Sequence, residues 1–189
     1  SAAWDTATAN WNVGGYRGAY GDGDHVTFAD GASNPSVSVT GGGVSPGSIT
    51  ISNAATTYNF SGGSINGGGT LTKQGTGQAT LSVANGYSGL TLVKTGVLVV
   101  AANNALGTTG SGTVVSNGAA LGFQGGVNYA STEPLTISGG GGGGGALYAV
   151  SGNNTFAGAV TLAANSTVGV ASGLGLALNG SIGGGFNLT

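Results

Sequence analysis

The sequence predicts an all-β fold in which short strands stack as a parallel β-solenoid behind an aromatic-rich N-terminal cap. Three observations predict it. Apolar residues recur two apart in short runs, which places them on one face of a strand. Glycine and asparagine separate the runs and readily adopt the left-handed angles of turns; 43 of the 189 residues are glycine. Similar segments also recur along the chain, as the stacked turns of a solenoid require.

The first element is the segment 1–36, whose composition differs from the rest of the chain. It holds both tryptophans, Trp4 and Trp11, as well as Tyr16 and Tyr20 and four of the five acidic residues. The ends of a solenoid expose strand edges, which proteins usually cover. We therefore expect the four aromatic residues to form a hydrophobic lid, although such rings can also stack on sugars.

The second element is the solenoid itself, residues 37–189, in which short alternating runs follow one another. Glycine interrupts every window with helical spacing and costs about 1 kcal/mol per helical position relative to alanine, so we expect no α-helix. The predicted strands are Val37–Val39, Ile49–Ile51, Tyr58–Phe60, Leu71, Leu81–Val83, Leu90–Leu92, Val97–Val100, Val114–Val115, Leu121–Phe123, Leu135–Ile137, Val160–Leu162, Val168–Val170 and Leu174–Leu178.

The alternation also predicts which side chains point inward, because a slip of one residue reverses both faces of a strand. We expect one apolar set inside: Leu81, Val83, Leu92, Leu98, Val100, Leu121, Leu135, Ile137, Leu162, Leu176 and Leu178. We expect one hydroxyl set outside: Thr72, Ser82, Thr91, Thr136 and Thr161.

Two pairs of segments carry the internal repetition. Gly67–Thr72 resembles Gly183–Thr189, and Asn85–Leu92 resembles Asn153–Leu162. In the second pair, an asparagine-rich turn and an aromatic residue precede an alternating strand each time. The repetition favours a solenoid over a sandwich or a barrel.

Charge is scarce, and its scarcity excludes several partners. The chain has three basic and five acidic residues, one histidine and a net charge of −2. Arg17, Lys73 and Lys94 cannot form a basic patch for nucleic acid, and no apolar run approaches the roughly 18 residues of a membrane helix. The small residues Ser1–Ala3 are typical of a chain that begins near a signal-peptide cleavage site. We expect a secreted, extracellular protein.

Residues 68–100 contain a series of motifs that matches a known repeat. The stretch opens with Gly68–Lys73, continues through the strand Thr80–Ser82 and the turn Asn85–Gly89, and closes with Gly96–Val100. It resembles the autotransporter-associated β-strand repeat, also called the passenger-associated transport repeat. One departure is Leu90-Thr91, where that family usually has a second glycine and a Thr-Thr pair. The resemblance implies a right-handed parallel β-helix on a bacterial cell surface, without catalytic residues.

The acidic residues and His25 are the candidate chemical groups. His25 could serve as a base oriented by Asp22 or Asp24, but no particular serine stands out as its nucleophile. Asp22, Asp24 and Asp30 could offer oxygen ligands to calcium, but the rest of an EF-hand loop is missing. For His25 and for the three aspartates, the favoured interpretation is a solvated Asp/Gly turn.

The remaining motifs also favour a structural role. Lyases with β-helix folds rely on clustered acids with Lys or Arg, whereas Lys73 and Lys94 lie apart from almost all the acids of this chain. The heptaglycine Gly139–Gly145 is either a flexible linker or an ordered loop. Five asparagines match the N-x-[ST] pattern of glycosylation acceptors: Asn59, Asn153, Asn165, Asn179 and Asn187.

We therefore expect a non-enzymatic structural protein, a β-solenoid building block of an extracellular fibre or filament on a bacterial surface. No metal, nucleotide or organic cofactor is expected, because no Cys, His or carboxylate cluster has ligand spacing. The alternative is an adhesin or autotransporter passenger segment that binds glycan or a host surface.

The C-terminal residues indicate how the building blocks would join. Gly175–Thr189 contains no Lys or Pro to protect an open strand edge. A head-to-tail contact does not close on itself and propagates. We therefore predict a head-to-tail homopolymer.

Overall fold

The computed structural model describes residues 2–142 and 144–189, and strands and turns make up all of its regular structure. The strands are β1 (Ala2–Trp4), β2 (Trp11–Val13), β3 (Tyr16–Gly18), β4 (His25–Ala29), β5 (Ser36–Val39), β6 (Ser48–Ser52), β7 (Tyr58–Gly62), β8 (Thr70–Gln74), β9 (Gln78–Leu81), β10 (Thr91–Val93), β11 (Val97–Val100), β12 (Thr113–Val115), β13 (Ala120–Phe123), β14 (Asn128–Tyr129), β15 (Leu135–Gly139), β16 (Leu147–Ala149), β17 (Asn153–Phe156), β18 (Val160–Ser166), β19 (Val168–Gly169), β20 (Gly175–Leu178) and β21 (Ile182–Gly183).

Three parallel sheets wind around one interior. The first sheet contains β1, β5, β7, β9, β11, β13, β16 and β19; the second contains β4, β6, β8, β10, β12, β15, β18 and β21; the third contains β14, β17 and β20. Within each sheet the strands pair in chain order, so the chain forms a β-solenoid of about seven turns. This confirms the predicted fold class. Residues 2–36 supply β1 and β4 to the sheets, and the antiparallel hairpin β2–β3 lies between them.

Equivalent residues of successive turns stack on one another and form columns that run along the solenoid axis. In the second sheet Ile49 pairs with Leu71, and Leu135 pairs with Val160. All four side chains are buried. Parallel pairing satisfies the backbone N–H and C=O groups along the axis, while burial of the columns contributes about 25 cal/mol per Å² of apolar surface. Cohesion therefore comes from contacts between adjacent turns.

Most of the predicted inward set is confirmed. The buried members are Leu81, Leu98, Val100, Leu121, Leu135, Ile137 and Leu162. Leu176 and Leu178 are half-buried against the core, and Val83 is half-buried. Of the predicted outward set, Ser82 and Thr161 are exposed, whereas Thr72 and Thr136 are half-buried.

The predicted orientation of β10 is wrong by one residue. Thr91 is fully buried, and Leu92 is only half-buried. Thr91 pairs with Thr113 in the next turn, so the stacking register turns its side chain inward. A 2.8 Å hydrogen bond between the hydroxyls of Thr91 and Tyr87 satisfies the buried oxygen. Apolar residues occur at both odd and even positions around β10, so their alternation alone could not identify the inward face.

Buried asparagines join successive turns at their corners. The side chain of Asn85 accepts a hydrogen bond from the backbone N–H of Ile65 at 3.0 Å and donates to the carbonyl of Ala105 at 2.7 Å. Asn154 similarly accepts from Val127 N–H at 2.9 Å and donates to the carbonyl of Gly175 at 3.2 Å. Each amide thus connects the turn before it with the turn after it.

The described part of the heptaglycine forms a closely packed loop, which favours the second of its two interpretations; Gly143 lies outside the described residues. A Cβ at Gly144 would lie 2.9 Å from the ring of Tyr148. Gly145 has a φ of 131°, and a Cβ there would lie 2.7 Å from the backbone nitrogen of Gly169. Only glycine allows the backbone to approach β16 and β19 this closely.

Gly158→Ala should destabilise the solenoid by roughly 2–4 kcal/mol. Gly158 is buried at the corner before β18, where a Cβ would lie 1.9 Å from the carbonyl oxygen of Glu133. Gly68→Ala is the matched control, since a Cβ there meets nothing within 4 Å. Urea unfolding followed by circular dichroism measures the difference, and equal midpoints for the two variants would contradict the stacking geometry.

Candidate functional site at the two ends of the solenoid

The C-terminal end of the described chain is open. The strands β19, β20 and β21 are each the outermost strand of a sheet. The residues after them begin a further turn, because Val168 N–H donates to the carbonyl of Thr189 at 2.9 Å. Among the described residues, no further strand pairs with the outer side of β20 or β21. Such an edge pairs readily with another strand.

Exposed apolar side chains mark both ends. In the part of the chain that the structure describes, every exposed large hydrophobic residue lies either in the N-terminal hairpin or in the last turn, with 41–82% of its surface accessible. The hairpin residues are Val13 and Tyr16; those of the last turn are Val170, Ile182, Phe186 and Leu188. The sides of the solenoid carry none of this group. Apolar surface is therefore available for contacts along the axis rather than across it.

The N-terminal end is filled by an aromatic cluster. The ring of Trp4 is fully buried, with centroids 5.7 Å from Trp11, 5.7 Å from Tyr20 and 5.2 Å from Phe28. These pairs have the edge-to-face arrangement that aromatic rings prefer. The cluster covers the first turn of the interior, as the predicted aromatic-rich cap requires.

The placement of Tyr16 in that lid was wrong. Tyr16 is 82% exposed at the hairpin turn, on the side away from the cluster. Gly14 and Gly15 have φ values of 58° and 92°, so the turn Val13–Tyr16 reverses the chain tightly and projects its flanking side chains outward. The glycine pair between alternating residues was the signal for this hairpin.

The acidic residues near His25 accept hydrogen bonds from backbone and hydroxyl groups of their own and the next turn. Asp22 accepts from the hydroxyl of Tyr20 at 2.8 Å and from Ser45 N–H at 2.7 Å, and Asp24 accepts from Gly21 N–H. Asp30 accepts from the N–H groups of residues 54–56. These backbone donors lower the pKa of Asp22 and Asp30. Among the described residues, no three His, Cys, Asp or Glu side chains gather as a metal site.

The structure provides a serine partner for His25 that the sequence did not single out. Nδ1 of His25 lies 2.7 Å from Oγ of Ser48, its neighbour on the adjacent strand. The carboxylates of Asp22 and Asp24 bind other groups, as described above. The pair is exposed and cross-strand, an ordinary surface contact of neighbouring strands.

Lys73 is a buried cation in an apolar column. It pairs with Ile51 on one side and Val93 on the other, and its side chain is fully buried. Its Nζ donates to the carbonyls of Gln74 at 2.9 Å and Gly75 at 2.8 Å. Burial lowers the pKa of Lys73 to about 8. The sequence indicated that Lys73 is buried, because it stands two residues after Leu71 and therefore on the same inward face of β8.

Glu133 is the other buried charge, and it lies just before β15. Its Oε1 accepts from the hydroxyl of Thr113 at 2.9 Å, whereas its buried Oε2 has no hydrogen-bond partner. Burial raises the pKa of Glu133 to about 7, and the bond from Thr113 opposes this only in part. Lys94, by contrast, is exposed.

No protein-family model, curated protein or solved structure matches the chain. The resemblance of residues 68–100 to the autotransporter-associated repeat therefore stays a prediction. The five asparagines of the N-x-[ST] pattern are all exposed, and their glycosylation is equally a prediction. Among the described residues, no helix is long and apolar enough to cross a membrane.

The stability of the solenoid should fall between pH 5 and pH 8 because of Glu133. Its pKa is higher in the folded chain than the usual 4.5, so the folded state holds the proton more tightly. The stabilisation is complete below about pH 4.5 and is lost as the pH rises through 7. We expect a loss on the order of 1–2 kcal/mol, seen as a lower thermal midpoint at pH 8.

Glu133→Gln should remove most of this slope, because the amide still accepts from Thr113 and cannot ionise. Lys73 does not interfere, since its lowered pKa acts above pH 8 and in the opposite direction. An unchanged slope in Glu133→Gln would show that another group is responsible.

Proposed function

We propose that this protein is a structural subunit that assembles head to tail into an extracellular filament. The observation that carries the proposal is the confinement of exposed large apolar side chains to the two ends of the described solenoid. Single exposed apolar residues are common on protein surfaces, but clusters at opposite ends of an elongated fold favour axial contacts.

The geometry of the end strands suits a head-to-tail joint. β21 and β4 are opposite edges of the second sheet, and β19 and β1 are opposite edges of the first. A subunit placed on the axis would extend the second sheet from β21 to β4 in the parallel sense. The column that contains Val26 at one end contains Ile182 at the other, so the joint would extend an existing apolar column. Such a heterologous contact repeats without closing.

The charge distribution also favours association at the C-terminal end. Residues 134–189 contain no Asp, Glu, Lys, Arg or His. Proteins commonly protect strand edges with charged side chains, lysine above all, and with proline. The last turn lacks this protection. The low charge of the whole chain and the resemblance of residues 68–100 support a place at a bacterial surface.

Leu188→Lys should abolish assembly and leave the subunit folded, because it places a charge at the open end where Leu188 is 41% exposed. Tyr16→Lys should do the same from the other end. Thr161→Lys on the exposed side of β18 is the control and should assemble normally. Light scattering and negative-stain electron microscopy of the purified 189-residue chain measure the filaments.

Mixing the two blocked variants tests the direction of the contact. Each retains one intact end, so an equimolar mixture should form a 1:1 dimer and nothing larger, as measured by analytical ultracentrifugation. If Tyr16→Lys dimerises alone, the contact joins two C-terminal ends and the filament proposal is wrong. If the unmodified chain stays monomeric at high concentration, the adhesin-segment alternative replaces it.

A further inference from the structure

A cleft of about 490 Å³ opens beside the hairpin at the N-terminal end. Trp11 contributes a half-buried aromatic ring to its lining, next to the buried residues Trp4 and Tyr58, and Asn12, Ser33 and Asn34 contribute polar groups. We propose that this cleft binds a neutral saccharide of one or two rings. The cleft lies within one subunit, so saccharide binding does not require filament formation and adds a ligand to the proposed function.

The aromatic wall is rigid before any ligand arrives. Trp11 is the half-buried ring of the cluster, and its centroid lies 5.7 Å from Trp4 and 5.3 Å from Phe28. Packing on two sides holds the indole in place, so binding costs it little side-chain entropy. The accessible part of this ring offers an apolar surface on which the C–H face of a sugar can pack.

Two amide groups at the cleft are free to donate. Oδ1 of Asn12 accepts from Gly15 N–H at 2.8 Å, and Oδ1 of Asn34 accepts from Ser36 N–H at 3.2 Å. These bonds orient each side chain by its oxygen and leave the NH₂ group for a ligand. Sugar hydroxyls both accept and donate hydrogen bonds, so they can bond with these two amide groups and with the Ser33 hydroxyl at the edge of the cleft.

Two further donors lack an acceptor. Nε1 of Trp4 and Nε1 of Trp11 are buried without a hydrogen-bond partner, although both residues border the cleft. Buried polar groups are nearly always paired in native proteins, so two unpaired N–H groups in one cluster require an explanation. Because both nitrogens are enclosed, a water molecule enclosed beside the cluster is the acceptor that fits them.

The charge at the cleft decides between classes of ligand. Asp30 borders it, and the backbone N–H groups of residues 54–56 lower the pKa of its carboxyl, so it stays ionised at neutral pH. No Lys or Arg contributes to the lining. Phosphates, nucleotides and acidic sugars are therefore disfavoured, and a neutral saccharide fits.

Intrinsic fluorescence tests the proposal directly, because the only two tryptophans of the chain both border the cleft. The probes are maltose, cellobiose, lactose and N,N′-diacetylchitobiose, titrated at neutral pH. The Leu188→Lys variant is used, so that the outcome does not depend on filament formation. We expect a saturable change in tryptophan emission with at least one of the four sugars.

Asn34→Ala should weaken that binding roughly five- to tenfold, the loss expected for one hydrogen bond. Asn103→Ala is the matched control, because Asn103 is also exposed and also accepts a backbone N–H, from Ala130 at 2.9 Å. Circular dichroism checks that both variants are folded. The proposal is overturned if none of the four sugars gives a saturable change, or if Asn34→Ala and Asn103→Ala bind equally well.

Discussion

Parallel pairing between successive turns is the constraint on which the rest of this structure depends. Each turn has to present its N–H and C=O groups to the turn before it, and this fixes which residue stacks on which. Ile49, Leu71 and Leu135 are buried because the register places them in one inward column. The close contacts that require glycine, such as Gly158 against Glu133, follow from the same spacing of backbones.

The register also explains the polar residues in the interior. Thr91 and Lys73 are buried because the stacking register places their columns of residues in the interior. Each side chain then needs a nearby hydrogen-bond partner to offset the loss of water. Thr91 bonds with Tyr87, and the ammonium of Lys73 bonds with backbone carbonyls at a corner. Glu133 has only one oxygen hydrogen-bonded, and burial raises its pKa, so we expect stability to respond to this group near neutral pH.

The alternation of apolar residues predicted most strands of the parallel sheets and most of the buried set, and the internal repetition predicted the solenoid. It was not enough for Thr91, since the phase of that strand is set by pairing with Thr113 rather than by its own sequence. One part of the candidate site, the C-terminal edge strands, was predictable because the sequence has no charged residues there. The exposed hairpin was not predicted, although Gly14-Gly15 carried the turn signal, and the cleft depends on residues brought together only by folding.

The two ends are chemically different, and this difference would give the proposed assembly a direction. Aromatic rings fill the interior at the N-terminal end, so a subunit docking there would meet the hairpin and the edge strands β1 and β4. At the C-terminal end the last column is open. The proposed saccharide cleft opens at the N-terminal end as well, beside the hairpin that would meet the next subunit of the proposed filament. A sugar and a subunit that share this end would affect each other's affinity equally, since binding free energies are reciprocal.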